Sequence, residues 1–254
     1  MRTLLALFLF SVLTLRAADV ANAFDAANKL YEQGRFQDAA AKYEELLRAG
    51  AASSVVYFNL GNAWFKAGQL GRAIGAYREA QRLSPRDPNV RFNLQFVRKQ
   101  VTGSEHTPGP AWKAALTNLT LNEWTIGAAI AFWVLFILLA LSELRASLRS
   151  ALRFWTLAAA AASVIFAALL AAAVYSDRAA DAAVVVVPNT VVRRGPLEDS
   201  KVVCQLRDGS ELEVLDEMKT ADHQSWIMVQ DAARRTGWLK RNEVVLLNGK
   251  VTRS

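Results

Sequence analysis

The chain has 254 residues, a formal net charge of +7 and a single cysteine, Cys204. One cysteine excludes an intramolecular disulfide and any cysteine-based metal site. The basic residues are scattered among acids rather than gathered in a stripe, which argues against a nucleic-acid partner. Hydrophobic residues, 53% of the total, fall in separate blocks, the pattern of several small domains rather than one large one.

The first block is residues 1–23, "MRTLLALFLFSVLTLRAADVANA". Arg2 supplies a basic n-region, Leu4–Leu15 an uncharged h-region of 12 residues, and Ala21-Asn22-Ala23 an A-x-A cleavage site. The h-region is short for a membrane span. A cleaved signal peptide is therefore expected, with the mature chain starting at Phe24; a retained signal anchor is the other reading.

Residues 24–101 contain a 34-residue period. "YEQGRFQDAAAKYEEL" (Tyr31–Leu46) aligns with "FKAGQLGRAIGAYREA" (Phe65–Ala80), matching Gly34 to Gly68, Ala39 to Ala73 and Tyr43 to Tyr77. A third helix-A pattern follows Pro88 in "NVRFNLQFVRKQ" and stops at "TGSEHTPGP". The reading is two repeats of paired helices, A and B, plus one capping helix. This text resembles the tetratricopeptide repeat, with Leu60, Gly61, Ala73, Tyr77, Ala80 and Pro85 at signature positions. The resemblance implies a packing role for each. Gly61 and Ala73 bring helices A and B together, Tyr77 and Ala80 fill the space between repeats, and Gly68 ends helix A.

In that family helix A lines a concave groove. Phe24, Phe58 and Phe92 stand 34 apart at equivalent positions, and Asn28 and Asn62 form a second equivalent pair. Some family members clamp a C-terminal carboxylate there with lysines and asparagines. Here phenylalanine stands where a clamp lysine is needed, and Phe96 replaces the next cation. The candidate partner groove is thus aromatic: Phe24, Asn28, Phe58, Asn62, Phe65 and Phe92. Packing between helices is the other reading of these rings.

A linker over 102–123 follows. Its "AWKAALTNLTL" places Trp112, Leu116 and Leu119 on one helical face, which either lies along a membrane surface or ends the repeat stack. Residues 124–142 and 154–176 then read as two transmembrane helices, each long enough to cross roughly 30 Å of hydrocarbon. Ala159, Ser163, Ala167 and Ala171 form a small-residue ridge expected at their contact. The loop 143–153 carries Arg145, Arg149 and Arg153. By the positive-inside tendency it is cytoplasmic, which puts both flanking regions on the outer side. No ionisable residue lies inside either span, which argues against a transport path.

After a linker over 177–183, residues 184–248 change to short β-rich runs: "AVVVV", "KVVCQL", "ELEVLDE", "SWIMVQ" and "EVVLL". They predict a small all-β barrel. The order "TVVRRGP", "LRDGSELEVLDE", "SWIMV", "TGWLKRNEV" resembles the bacterial SH3-like domain. Arg193, Gly195, Pro196, Gly209, Trp226, Gly237 and Trp238 stand at its hallmark positions. The resemblance implies a shallow surface for peptidoglycan peptides or proteins, with Arg193, Trp226 and Trp238 as candidate contacts; core packing is the other reading of both tryptophans.

No Walker loop, G-x-S-x-G or H-E-x-x-H occurs, and His106 and His223 lack partners for a metal or nucleophile site. No catalytic residue, metal or cofactor is expected. The whole order of signal peptide, short repeat array, two spans and SH3-like barrel resembles the BatE-type proteins of the bacterial aerotolerance (Bat) operon. That resemblance implies a multi-domain protein of the bacterial inner membrane with its repeats and barrel in the periplasm. It also implies membrane-anchored von Willebrand factor A proteins and a MoxR-type AAA+ ATPase as partners. Two functions follow: an envelope scaffold that binds partner proteins, or a peptidoglycan-binding anchor or sensor acting through the barrel.

Overall fold

The computed structural model describes residues 19–103, 111–179, 182–220 and 223–247. The h-region Leu4–Leu15, His106, most of the "TGSEHTPGP" stretch and residue 248 lie outside the described residues. The described part forms two compact units. One joins 19–103 to 182–247, and the other is 111–179.

The first unit opens with α1, whose described part is 19–32. It includes Ala21-Asn22-Ala23, and Val20, Ala23 and Phe24 all pack against the helical core. Helices α2 (Phe36–Arg48), α3 (Ser54–Lys66), α4 (Leu70–Leu83) and α5 (Pro88–Thr102) follow. Gly34 and Gly68 adopt φ of +76° and +77°. That left-handed turn lets Arg35 N–H and Gln69 N–H reach back to the carbonyls of Leu30 and Trp64, ending both A helices alike. Ser53 caps α3 through its side chain, and Asp87 caps α5 ahead of Pro88 at the first turn.

Gly61 shows why small residues recur. A methyl group there would sit 2.7 Å from the Tyr77 ring. The helical core is built from Ala27, Ala39, Tyr43, Leu60, Ala73, Tyr77, Leu94 and their neighbours, and it extends into the C-terminal region through Val184 and Leu247.

That region is a seven-stranded sheet of β1 (Ala182–Val185), β2 (Thr190–Arg193), β3 (Val202–Leu206), β4 (Glu211–Lys219), β5 (Ser225–Gln230), β6 (Thr236–Lys240) and β7 (Val244–Leu246). The order across it is β3-β2-β6-β5-β4-β1-β7, with every pairing antiparallel. Strands β2 and β6 were visible in the sequence only as motifs, because each is short and interrupted by Arg or Gly. Along β1 the side chains alternate as a strand requires. Ala183 and Val185 join the sheet's own core with Ile227, Val229 and Leu239, while Val184 turns to the helices.

In the second compact unit, α6 (Ala111–Thr117) packs with α8 (Arg149–Ala179). The Trp124 indole N–H donates to the Leu116 carbonyl at 3.1 Å, tying α6 to the start of α7 (Leu121–Leu144). Thr120 and Glu123 form a capping box there. A 3₁₀ turn at Ala146–Leu148 leads to α8 (Arg149–Ala179), so the connection is shorter than 143–153 and Arg149 already opens the helix. Arg149 Nη2 sits 3.0 Å from both carboxylate oxygens of Glu143. Both α7 and α8 are long and apolar enough to cross a membrane.

The small-residue ridge is corrected in part. Ala159 and Ser163 lie on the half-covered face of α8, but Ala167 and Ala171 are exposed. A helix turns 3.6 residues per turn, so each step of four drifts by about 40° and three steps leave the seam. The contact instead uses Phe166, which lies over Gly127: a methyl there would meet the ring at 2.8 Å. Large apolar side chains such as Ile130, Phe132, Trp133, Val164 and Ile165 face outward.

Candidate functional site

The groove residues are held by a network that repeats with the sequence. Tyr43 Oη donates to Asn28 Oδ1 at 2.6 Å, and Tyr77 Oη donates to Asn62 Oδ1 at 2.6 Å. Asn59 Nδ2 donates to Asn28 Oδ1 at 3.4 Å, and Asn93 Nδ2 to Asn62 Oδ1 at 3.0 Å. Each asparagine oxygen thus accepts twice, once from its own repeat's helix B and once from the next helix A. Burial pushes the Tyr43 hydroxyl up to about 12 and raises that of Tyr77 further. Both remain protonated donors at any physiological pH.

The rings divide into two groups. Phe24 packs on Tyr43 and Phe58 on Tyr77, both with ring centroids 5.9 Å apart. For these two, packing describes most of the contact. Phe92 has no such tyrosine, since Ala111 stands 34 residues after Tyr77. It is 66% exposed, stacks on Phe96 at 6.4 Å, and Phe96 meets Phe65 edge-on at 5.8 Å. Three of the rings therefore form an open aromatic patch at the end of the repeats. Beside Asn28 and Asn62 lies an open recess of about 120 Å³, lined also by Tyr31, Glu32, Tyr43 and Asn59.

On the sheet, Arg193, Trp226 and Trp238 do share a face, the one opposite Ile227 and Leu239. Arg193 pairs across to Trp238, and Trp226 to Lys240. Their availability differs. Trp226 is almost fully buried, which fits the packing reading of this residue. Arg193 Nη1 is spent on the Ser200 carbonyl at 3.0 Å. Trp238 remains half-buried.

The junction between sheet and helices was absent from the sequence reading. Arg98 of α5 grips Glu211 of β4, Nε to Oε1 at 2.5 Å and Nη2 to Oε2 at 2.8 Å, and Arg78 Nε stands 3.3 Å from Glu211 Oε2. Asp208 Oδ1 accepts from Gly71 N–H at 3.1 Å. A methyl at Gly71 would lie 1.9 Å from the Val185 carbonyl oxygen. Gly71 and Gly75, two glycines inside a helix that prefers alanine, were the only local signal.

The tetratricopeptide repeat family model matches residues 24–88. Those residues are tetratricopeptide repeats. The TPR repeat-containing thioredoxin TTL4 of Arabidopsis thaliana is 33% identical over 67 residues, 26% of this chain and 10% of that protein. The chain thus spans about a tenth of the relative's length. Modules of this kind hold other proteins in a groove or on a face.

Proposed function

We propose that the chain is a non-catalytic, membrane-tethered scaffold whose repeats hold a partner protein through the patch Phe65, Phe92 and Phe96. The observation that carries this is Phe92, 66% exposed and stacked on an exposed Phe96 within a repeat domain. Contiguous exposed aromatics on a folded surface mark interaction sites. Helices α7 and α8 span a bacterial inner membrane. Arg145 in the turn between them and Arg149 and Arg153 in the first turns of α8 face the cytoplasm, so the repeats and sheet lie in the periplasm. The resemblance to BatE-type proteins makes von Willebrand factor A proteins and a MoxR-type ATPase system the first partners to test. The sheet, as an SH3-like domain, supports the repeats. A peptidoglycan-binding role is less well supported, because Trp226 is closed to solvent and Arg193 is engaged.

A photoreactive residue at position 92, crosslinked in native membranes, tests the reading. Phe65→Ser and Phe96→Ser together should reduce the crosslinked partner several-fold without loss of the folded protein. Unchanged crosslinking in that variant overturns it.

A further inference from the structure

The recess between α1, α2 and α3 has a chemistry distinct from that of the aromatic patch. Its six lining residues are Asn28, Tyr31, Glu32, Tyr43, Asn59 and Asn62, none of them basic. Among the described residues Glu32 forms no ion pair or hydrogen bond, and it is exposed. Asn59 spends its amide N–H on Asn28, which leaves its carbonyl oxygen available. Tyr43 donates its only hydroxyl proton to Asn28, which leaves the oxygen lone pairs as acceptors. The rings of Tyr31 and Tyr43 add electron-rich faces. At about 120 Å³ the space equals that of roughly four waters.

The recess also holds donors, the amide N–H groups of Asn28 and Asn62 and the Tyr31 hydroxyl, so its one formal charge decides what it takes. A carboxylate entering here would meet the Glu32 carboxylate as a like charge. An ammonium or guanidinium would meet a free carboxylate, an amide oxygen and a phenol oxygen. The equivalent of Glu32 one repeat later is Lys66, so the acid is particular to this recess rather than a feature of the period.

Resting on the scaffold reading above, we infer that the recess receives a lysine or arginine side chain from an extended, otherwise apolar segment of the partner. The ion pair with Glu32 sets the register, and the rings of Phe65, Phe92 and Phe96 take apolar residues further along the segment. The selectivity is therefore opposite to that of a carboxylate clamp: an internal cation is read, and no free chain end is required.

The test uses the full chain in lipid nanodiscs and three peptides acetylated and amidated at their ends. They share leucines on both sides of a central lysine, norleucine or glutamate, and carry the same hydrophilic tag. Blocked ends remove any terminal carboxylate. Fluorescence anisotropy should show the lysine peptide binding roughly tenfold more tightly than the norleucine peptide, as a charge-assisted contact provides, with the glutamate peptide weakest. Glu32→Gln should erase the preference and Glu32→Lys should invert it. Equal binding of all three peptides, binding of none, or a lysine preference that survives Glu32→Gln overturns the inference. Phe92→Ser with Phe96→Ser separates it from the scaffold reading. Binding that is indifferent to the central residue but lost in this variant keeps the aromatic patch and removes the recess. A lysine preference that persists in it keeps the recess and removes the patch.

Discussion

Arg98 and Glu211, 113 residues apart in sequence, face each other through two parallel hydrogen bonds of 2.5 and 2.8 Å. The Arg98 side chain is only 10% exposed and that of Glu211 26%. A planar guanidinium matched to a carboxylate in this way is worth more than a surface pair, because water screens it poorly. It fixes the C-terminal sheet against α5, where the next helix of a longer repeat array would otherwise pack. The sheet thereby covers the apolar end of a two-repeat stack, a surface that an array of this kind must bury.

Arg98→Ala should loosen that junction by about 1.5–3 kcal/mol, the range for hydrogen bonds to charged groups. Arg78 remains near Glu211 and limits the loss. Hydrogen exchange reads the change locally in the full chain. The Gly71 and Leu247 amides, which bond to Asp208 and to the Ala182 carbonyl, should exchange about 10- to 150-fold faster. Protection of the α7 and α8 amides should not change.

Two glycines on α4 give opposite expectations from the same substitution. At Gly71 a methyl meets the Val185 carbonyl oxygen at 1.9 Å and Asp208 Oδ1 at 2.5 Å, and backbone cannot swing away as a side-chain tip can. Gly71→Ala should cost about 1–3 kcal/mol in overpacking even after the helix gains alanine's propensity. At Gly75 the nearest atom is Val245 Cγ1 at 3.5 Å, ordinary contact. Gly75→Ala should therefore be neutral or stabilise by up to about 1 kcal/mol. Protection of the β1 and β7 amides checks both.

These glycines also show what the sequence could and could not reveal. The repeats were legible because their packing needs small residues and tyrosines at a fixed 34-residue spacing, as Gly61 under Tyr77 illustrates. The two apolar helices were legible because hydropathy is a property of composition. The docking of the sheet was not. Asp208 and Gly71 lie 137 residues apart, and no local pattern pairs a turn aspartate with a distant helix glycine. Phe92 and Phe58 look equivalent in the period, yet only one is covered, because the covering tyrosine comes from a helix B that the last position lacks. Trp226 carries a family motif, but its burial follows from tertiary packing that spacing does not encode.

Asp208 provides a pH-dependent check. Burial raises its carboxyl above the usual carboxylate range, opposed by hydrogen bonds from the backbone N–H groups of Gly71, Leu70 and Gly209. A carboxyl whose folded pKa is raised holds its proton more tightly when folded. Its ionised form then costs stability at neutral pH, and the cost fades as pH falls through the folded value toward the unfolded one near 3.9. Asp208→Asn keeps an oxygen for the Gly71 N–H and removes the charge. It should be at least as stable as the parent at pH 7, with any advantage shrinking toward pH 4. Asp208→Ala loses the acceptor and should cost about 1 kcal/mol at both.

The proposed direction of insertion rests on three arginines and can be measured with one introduced thiol at a time. Cys204 is half-buried, and burial raises its thiol above the ordinary range. It is nonetheless replaced by serine first, to give a silent background. Ser147→Cys lies in the 3₁₀ turn between the two apolar helices, beside Arg145 and Arg149. Ser84→Cys lies at the end of α4 in the repeats. If the arginine-rich turn is cytoplasmic, a membrane-impermeant maleimide applied from the periplasmic side labels Ser84→Cys in intact spheroplasts. The same reagent reaches Ser147→Cys only after permeabilisation. The reverse order inverts the topology, and labelling of both without permeabilisation rules out a spanning pair. The positive-inside tendency counts Lys and Arg close to the ends of the spans. Replacing Arg145 and Arg153 by Gln, with Arg149 left paired to Glu143, should therefore weaken the side preference and give a mixed labelling pattern.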